Sequence, residues 1–320
     1  MLLTYQGRGY ELQAGESVLD GLARHGVTLP AACRAGVCHS CLLRAESGDP
    51  GEGGRDLLKA TLAASGYFLA CLAHPVTDMT VAPAADDMIT PAVLLRRRWL
   101  AAGVLAVWLR PARPVPFRAG QHLTLSRDGG VARTYSLANL PAEAARHGME
   151  FHLRVYPGGA MSGWLASARP GAAIGLGIPN GECFYLPGRP TGPLLLAGTG
   201  TGVGPLAAIA RDALRQGHTG PVVMVAGAAA ASRVYWRCDP LNGRSGGPGI
   251  RWRTCLLSRG EDIAEVVTSE YARLAGSPAA RAYLCGGAGS VARARRALFL
   301  AGMSLRSIQA DAFLPMAPAS

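Results

Sequence analysis

The chain of 320 residues is almost without lysine. Lys59 is its single lysine, so nearly all of the basic charge is carried by arginine. The arginines are scattered and form no stripe interleaved with aromatic side chains, which disfavours nucleic-acid binding. No continuous apolar run of about 18 residues predicts a membrane-spanning helix, and Met1–Tyr5 is typical of a strand rather than a signal peptide. No internal repeat is evident. These absences favour a cytoplasmic protein that binds neither nucleic acid nor a membrane.

The charge is distributed unevenly along the chain. Residues 1–85 carry six basic and eight acidic side chains, whereas residues 86–320 carry 26 and 13. The formal net charge of the whole chain is +11. Phosphate-bearing cofactors, together with docking of an acidic N-terminal unit on a basic body, account for this pattern. With 49% hydrophobic residues, the chain has enough apolar material for two or three domain cores.

Four of the eight cysteines lie in a recognisable pattern. They are spaced as Cys33-x4-Cys38-x2-Cys41, with Cys71 after a long gap. This is the plant-type ferredoxin spacing, in which four thiolates hold a [2Fe–2S] cluster. A zinc ribbon would show a second Cys-x2-Cys pair, and Cys71 has no such partner. We therefore predict a [2Fe–2S] cluster. The other four cysteines follow no such spacing, which suits a reducing cytoplasm: Cys183, Cys238, Cys255 and Cys285.

The N-terminal part of the chain, residues 1–85, has the pattern of a small β-grasp domain. The mostly small residues between the cysteines suit a tight loop whose N–H groups approach the sulfur atoms. The elements predicted here are strands at Leu2–Tyr5, Tyr10–Gln13 and Gly66–Cys71, with a turn around Gly7–Gly9, a helix at Ser17–His25, and a linker at Pro83–Pro91.

Two further domains follow, over residues 86–190 and 191–320. From Leu94 to Leu186, short strands broken by Gly and Pro predict an antiparallel β-barrel. After Pro193, apolar runs alternate with helices, which predicts a parallel, Rossmann-like sheet covered on both faces. The predicted class is therefore α+β and α/β multidomain. The elements predicted in the last domain are strands at Leu194–Ala197, Val222–Ala226 and Ala282–Cys285, helices at Leu206–Arg215 and Val291–Ala301, and a surface loop at 243–249.

A flavin site is predicted in the barrel segment. Arg133-Thr134-Tyr135-Ser136 combines an arginine able to hold a phosphate with a tyrosine on the same strand face able to stack on a flavin ring. The serine is placed to hydrogen-bond near the reactive flavin nitrogen. Downstream, a glycine-rich turn opens a predicted helix whose N–H groups suit a pyrophosphate, with Gly158, Gly159, Met161 and Ser162 as candidate contacts.

A nicotinamide-nucleotide site is predicted in the last domain. A buried strand runs into a glycine-rich turn and then a helix, an arrangement that binds dinucleotide phosphates. The candidate residues of this turn are Gly198, Thr199, Gly200, Thr201, Gly202 and Pro205. Further on, Tyr283–Gly287 supplies Cys285 and Gly286. A buried core position is the alternative role for Cys285.

Taken together, these motifs resemble the ferredoxin–NADP⁺ reductase superfamily. In that superfamily, Arg-x-Tyr-Ser and a Gly-Gly-x-x-Ser turn bind FAD. Ile178–Phe184 resembles its Gly-Pro-x-Gly-x-Phe segment with Ile178 in place of glycine, and Gly198–Pro205 resembles its Gly-Thr-Gly-Thr-Gly-x-Ala-Pro turn with Gly204 in place of alanine.

The same resemblance implies which residues act near the reacting atoms. It places Cys285 near the reacting nicotinamide carbon and Ser136 near the flavin. The ending Asp311-Ala312-Phe313 resembles the superfamily's acidic-x-aromatic terminus, in which the aromatic ring covers the flavin. Packing in the core is the alternative for Phe313. The resemblance thus implies Ser136, Cys285 and Phe313 as the residues of the catalytic region.

The order of the three domains resembles the reductase components of multicomponent bacterial oxygenases. This resemblance implies that NAD(P)H passes a hydride to FAD and that single electrons leave through the [2Fe–2S] cluster to a terminal oxygenase, an aromatic-ring dioxygenase or a di-iron monooxygenase. A reductase for 3-deoxysugar formation and a redox-sensing subunit without NAD(P)H oxidation are the alternatives. Such a relay works as a monomer, which is the expected oligomeric state.

The choice between NADH and NADPH stays open in the sequence. After the second strand of the last domain, Ala226–Trp236 offers no acidic residue to a ribose hydroxyl. Arg233 and Tyr235 are instead able to face a 2′-phosphate. Relatives with this domain order mostly use NADH, so the resemblance favours NADH.

Overall fold

Three separate β-sheets follow one another along the chain. The computed structural model describes residues 1–51, 53–84, 88–128, 130–236, 249–274 and 276–313. Cys238 and nearly all of the predicted loop at 243–249 lie outside these residues. Each sheet has a hydrophobic core of its own. None of the helices in the described residues combines the length and the hydropathy that crossing a bilayer requires.

The first sheet has five strands in the order β2-β1-β5-β3-β4, with β1 parallel to β5, and forms a β-grasp unit. Ser17 caps α1, because its hydroxyl accepts from the backbone N–H of Asp20 at 3.1 Å, as predicted. Its elements are β1 (Leu2–Tyr5), β2 (Arg8–Glu11), α1 (Val18–Arg24), β3 (Leu42–Ser47), α2 (Ala60–Ala64), β4 (Tyr67–Leu69) and β5 (Met79–Pro83).

The predicted boundaries of two strands in this sheet were wrong. Strand β2 begins at Arg8 rather than Tyr10, because Gln6 and Gly7 both adopt left-handed backbone angles and close the hairpin with two residues. Strand β4 ends at Leu69, so Cys71 lies just beyond it. The predicted linker is also shorter, because the next strand already begins at Thr90.

The second sheet is a six-stranded antiparallel barrel in the order β10-β7-β6-β11-β8-β9. A bridge between Leu137 and Phe151 connects the end of β9 to β10 and closes the barrel. Its elements are β6 (Thr90–Ala101), β7 (Val104–Pro111), β8 (His122–Arg127), β9 (Val131–Ser136), α3 (Pro141–His147), β10 (Met149–Arg154), α4 (Ser162–Ser167) and β11 (Ala173–Leu176).

The third sheet is fully parallel, in the order β14-β13-β12-β15-β16. Successive residues of β12 contribute to two different cores: Leu196 packs with α5, and Leu195 packs with α6. The predicted cover on both faces is therefore confirmed. Its elements are β12 (Leu194–Thr199), α5 (Val203–Arg215), β13 (Val222–Ala228), β14 (Ile250–Leu256), α6 (Ile263–Arg273), β15 (Arg281–Gly287), α7 (Ala288–Leu300) and β16 (Ile308–Phe313).

Candidate functional site

The cluster loop, defined here as residues 32–41, has a backbone shaped by left-handed residues. Arg34, Gly36 and His39 have φ angles of 53°, 74° and 54°. These reversals turn N–H groups toward sulfur: the amides of Ala35 and Cys38 lie 3.3 and 3.4 Å from Cys33 Sγ. A short loop that holds several thiolates needs such N–H donors, because each one stabilises negative charge on sulfur.

The four predicted ligands form two pairs, and among the described residues no three His, Cys, Asp or Glu side chains are grouped closely enough to hold a single metal ion. Cys33 hydrogen-bonds to Cys38, and Cys41 hydrogen-bonds to Cys71. In each pair the bond holds the pKa of one thiol below its usual value: Cys33 lowers the pKa of Cys38, and Cys41 lowers the pKa of Cys71 to about 7. Pairing of β3 with β4 brings the second pair together, because the amide of Ala70 donates to the carbonyl oxygen of Cys41 at 3.1 Å.

Strands β8 and β9 form a ribbon with two different faces. Arg133 and Tyr135 share one face, as predicted, and burial raises the pKa of Tyr135 to about 12. The other face carries two cross-strand pairs, His122 with Ser136 and Thr124 with Thr134. We call this second face the polar ribbon face. The Arg133 guanidinium donates to the carbonyl oxygen of Ala132 at 2.6 Å.

The turn before α4 is built from glycine. Gly158 has a φ of 71°, and a Cβ on Gly159 would lie 2.4 Å from the Ser162 hydroxyl. That hydroxyl accepts from the backbone N–H of Tyr156 at 3.3 Å. Met161 is buried in the barrel core, so its side chain is a packing residue.

The glycine-rich turn lies at the topological switch point of the parallel sheet. The strand order reverses between β12 and β15, and ligands of such sheets bind at the carboxyl ends of these strands. A Cβ on Gly202 would lie 2.3 Å from the carbonyl oxygen of Cys285, and one on Gly286 would lie 2.4 Å from the Thr199 hydroxyl. The turn and the Cys285 strand therefore touch through backbone. Gly198 is buried, Gly200 and Thr201 are half-exposed, and Pro205 lies within α5.

We call β9 the flavin strand because it carries the residues predicted to contact FAD, and we call the parallel third sheet the nucleotide sheet. The two meet at Asp311. The Ser136 hydroxyl donates to Asp311 Oδ2 at 2.7 Å, and the Cys285 thiol lies 3.9 Å from the same oxygen. Burial, and then the charge of Asp311, raise the pKa of Cys285, which keeps it a neutral thiol. His122 Nδ1 lies 3.6 Å from Asp311 Oδ1, and Nε2 of this buried ring has no partner among the described residues.

The remaining aromatic candidate lies at the end of the described chain. Phe313 is half-buried at the carboxyl end of β16, opposite Gly287, and packs against the core that contains Cys285. Sequence reasoning named Asp311 only as part of the terminal motif, and it missed His122 entirely. The His122 signal was weak, because one histidine after Gly120-Gln121 is an ordinary strand residue in a single sequence.

The packing of Tyr235 disfavours the contact with a 2′-phosphate that the sequence left open. Tyr235 is buried against the barrel, with its ring edge-on to His152 and its hydroxyl 3.3 Å from His152 Nδ1. Although burial alone would raise the pKa of Glu150, its hydrogen bond with His152 at 2.9 Å holds that pKa below its usual value. Arg233 is half-exposed.

His39, within the cluster loop, is half-buried. In the structure its ring nitrogens lie 3.3 and 3.4 Å from the side-chain amide of Asn180, and burial lowers its pKa. His39 therefore faces the barrel.

Two family models match the chain. A 2Fe-2S iron-sulfur cluster binding domain matches residues 3–76, and an oxidoreductase FAD-binding domain matches residues 107–185. With the parallel nucleotide sheet, these define an iron–sulfur flavoprotein oxidoreductase.

Similar proteins cover from 72% to 98% of the chain. The reductase component of the naphthalene 1,2-dioxygenase system of Pseudomonas putida is 30% identical over 98% of both chains. The reductase subunit of an aromatic O-demethylase of Amycolatopsis is 36% identical over 72% of both. An Amycolatopsis cytochrome P450 reductase has a similar structure, with a TM-score of 0.64, 30% identity and coverage of 98% of this chain and 99% of that one.

The chain belongs to the family of NAD(P)H-dependent reductase components of oxygenase systems. It is an electron-transfer enzyme with a [2Fe–2S] cluster, FAD and NAD(P)H as cofactors. The predicted fold class and function are confirmed.

Proposed function

We propose that the polar ribbon face is where the three redox sites of this reductase meet. Two hydrogen bonds made by this face carry the proposal. The Ser136 hydroxyl donates to Asp311 of the nucleotide sheet, and the Thr124 hydroxyl donates to the carbonyl oxygen of Cys38 in the cluster loop. Both sites therefore touch one two-stranded ribbon. The three domains are assigned to residues 1–85, 86–190 and 191–320, which is supported by the separate sheets in these ranges.

The cluster ligands are Cys33, Cys38, Cys41 and Cys71. Their arrangement in two hydrogen-bonded pairs suits two irons, each held by two thiolates.

FAD is held by Arg133, Thr134, Tyr135 and Ser136 on β9 and by the turn at Gly158, Gly159, Met161 and Ser162. The unpartnered Nε2 of buried His122, beside Ser136, supports a polar cofactor edge at this point. Because Met161 is a core residue, it serves this site through its backbone. When bound, FAD accepts hydride and releases electrons singly.

NAD(P)H occupies the switch-point crevice, bounded by Gly198, Thr199, Gly200, Thr201, Gly202 and Pro205 on one side and by Cys285 and Gly286 on the other. Phe313, at the carboxyl end of the neighbouring strand, is assigned to the same region. Ser136 and Asp311 fix each other beside the Cys285 thiol, so they orient the reacting groups. NADH is the preferred donor. Of the two residues able to face a 2′-phosphate, Tyr235 packs against the barrel instead, so only Arg233 remains to bind that phosphate.

The electron acceptor is a terminal oxygenase component, of the aromatic-ring dioxygenase or di-iron monooxygenase kind. The names of the relatives support an oxygenase partner. The chain acts in the cytoplasm as a monomer, without nucleic acid or membrane. Arginines that pair within the chain, such as Arg211 with Glu143 and Arg24 with Glu16, support only the absence of a nucleic-acid surface.

Anaerobic titration with NADH, and separately with NADPH, tests the proposed function. We expect both the flavin and the iron–sulfur absorbance bands to bleach, at lower concentration with NADH. Bleaching of the flavin alone would contradict internal transfer. If neither donor bleaches either band, the chain is a redox-sensing subunit instead.

Replacement of Ser136 by alanine is expected to slow flavin reduction by NADH on the order of tenfold to a hundredfold, the value of a hydrogen bond to a charged group. Stopped-flow absorbance measures this rate. Ser126→Ala, on the neighbouring strand and bonded to the carbonyl of Gly175, is the control and keeps the wild-type rate. Equal rates in the two variants would remove Ser136 from the site.

A further inference from the structure

Two side chains of the barrel hold consecutive carbonyl groups of the cluster loop. The Thr124 hydroxyl donates to the carbonyl oxygen of Cys38 at 3.1 Å. The side-chain amide of Asn180 donates to the carbonyl oxygen of Val37 at 3.2 Å. The same stretch of backbone is thus fixed twice by a neighbouring domain. We call Thr124 and Asn180 the carbonyl clamp.

Thr124 connects the flavin strand to the cluster loop in a defined direction. Its side chain is buried on the polar ribbon face, and its Oγ1 lies 3.3 Å from Oγ1 of Thr134. A hydroxyl has one proton to donate. Because Thr124 gives its proton to the Cys38 carbonyl, the hydroxyl of Thr134 is the donor to Thr124. The chain of hydrogen bonds therefore runs from β9, next to Tyr135, to a cluster ligand.

Asn180 is fixed at the other end of the clamp. Its backbone pairs with His122 in both directions, at 3.0 and 2.8 Å. His122 is the first residue of β8 and lies beside Asp311. Thr124 lies two positions after His122, a distance of about 7 Å along a strand. The contact with Asp311 and the contact with the cluster loop therefore lie close together on one strand, β8.

We infer that Thr124 and Asn180 are positioning residues that hold the cluster loop against the flavin strand and so set the rate of internal electron transfer. This inference rests on the proposed function. NADH gives up a hydride, which carries two electrons, and becomes NAD⁺; one proton is released as two one-electron acceptors are reduced in turn. Each of these electrons crosses the contact that the clamp fixes.

Thr124→Val tests the inference, because valine keeps the shape and removes the hydroxyl. After anaerobic mixing of the holoprotein with NADH, the flavin band should bleach at the wild-type rate. The cluster band should bleach about tenfold more slowly, because a misplaced contact slows transfer steeply. Thr124→Ser keeps the hydroxyl and should restore the wild-type rate. Asn180→Ala should slow the bleaching of the cluster band and leave the bleaching rate of the flavin band unchanged. This variant replaces Thr124→Val in the test if Thr124→Val does not fold.

Ser126→Ala is the matched control. Ser126 lies two positions after Thr124 on β8, and both residues line a cavity of about 190 Å³ between the first two domains. The Ser126 hydroxyl, however, donates to the carbonyl oxygen of Gly175 rather than to the cluster loop. Wild-type cluster bleaching is expected there. Equal cluster rates in Thr124→Val, Asn180→Ala and the control would overturn the inference.

Hydrogen exchange of the cluster-loop amides supplies a second readout that does not depend on turnover. In Thr124→Val and in Asn180→Ala, the backbone amides of residues 35–40 should exchange their hydrogens faster than in the wild-type protein or in Ser126→Ala. Unchanged exchange would overturn the clamp even if rates differ. Failure of the proposed function is distinguishable, because NADH would then bleach nothing in the wild-type protein itself.

Discussion

Replacement of Cys41 by serine is expected to abolish electron delivery to a one-electron acceptor while leaving flavin reduction by NADH intact. Cys41 is 3% exposed and forms a hydrogen-bonded pair with Cys71. A serine hydroxyl ionises far less readily than a thiol and is a much poorer ligand for the iron of such a cluster. Iron content should therefore fall from about two per chain toward zero. Acceptor reduction should fall on the order of a hundredfold or more, because single electrons leave through the cluster.

Cys255→Ser is the control for this prediction. Cys255 is also 3% exposed and lies in a strand, and burial raises its pKa to about 11. It lies on β14, in the nucleotide sheet, and does not belong to the cluster loop. We expect full iron content and wild-type acceptor reduction. If Cys41→Ser keeps its iron and its cluster absorbance, Cys41 is not a ligand.

The cluster and nucleotide motifs were predictable because their chemistry is local. Three cysteines within nine residues define one loop, and a glycine-rich turn between a strand and a helix needs few neighbours to be recognised. Strands such as β13, in which all seven residues are buried, are also visible as apolar runs.

Contacts between domains were not predictable from the same patterns. Ser136 meets Asp311 across 175 positions, and Thr124 meets Cys38 across 86. On a strand, Thr124 looks like any β-forming residue, and its partner is set by domain packing. Edge strand β14 was missed because its sequence, Ile-Arg-Trp-Arg-Thr-Cys-Leu, alternates with arginine instead of forming an apolar run. The burial of Tyr235 was not predictable because it depends on His152, in another domain.

Gly202→Ala is expected to remove nearly all activity with NADH. The φ of Gly202 is −63°, so alanine meets no backbone strain there. Its Cβ would instead lie 2.3 Å from the carbonyl oxygen of Cys285, and backbone atoms cannot step aside as a side chain can. The turn and β15 must separate, which opens the crevice. A misplacement of about 1 Å costs on the order of a hundredfold in rate, and we expect at least that loss in kcat/KM for NADH.

Gly204→Ala provides the matched comparison, because its obstacle is a side chain. A Cβ on Gly204 would lie 2.5 Å from His152 Nδ1, and this explains why glycine stands where the superfamily has alanine. His152 cannot simply rotate away, since Glu150 and Tyr235 hold both ring nitrogens. We therefore expect Gly204→Ala to weaken NADH binding substantially.

The two glycine variants should then differ in whether a second substitution, His152→Ala, restores their activity with NADH. His152→Ala removes the obstacle to Gly204→Ala, so the double variant should resemble His152→Ala alone. The same replacement cannot rescue Gly202→Ala, because the Cys285 carbonyl remains in place. Steady-state kcat and KM for NADH across the six proteins measure this non-additivity. Rescue of both glycine variants, or of neither, would show that His152 does not account for Gly204.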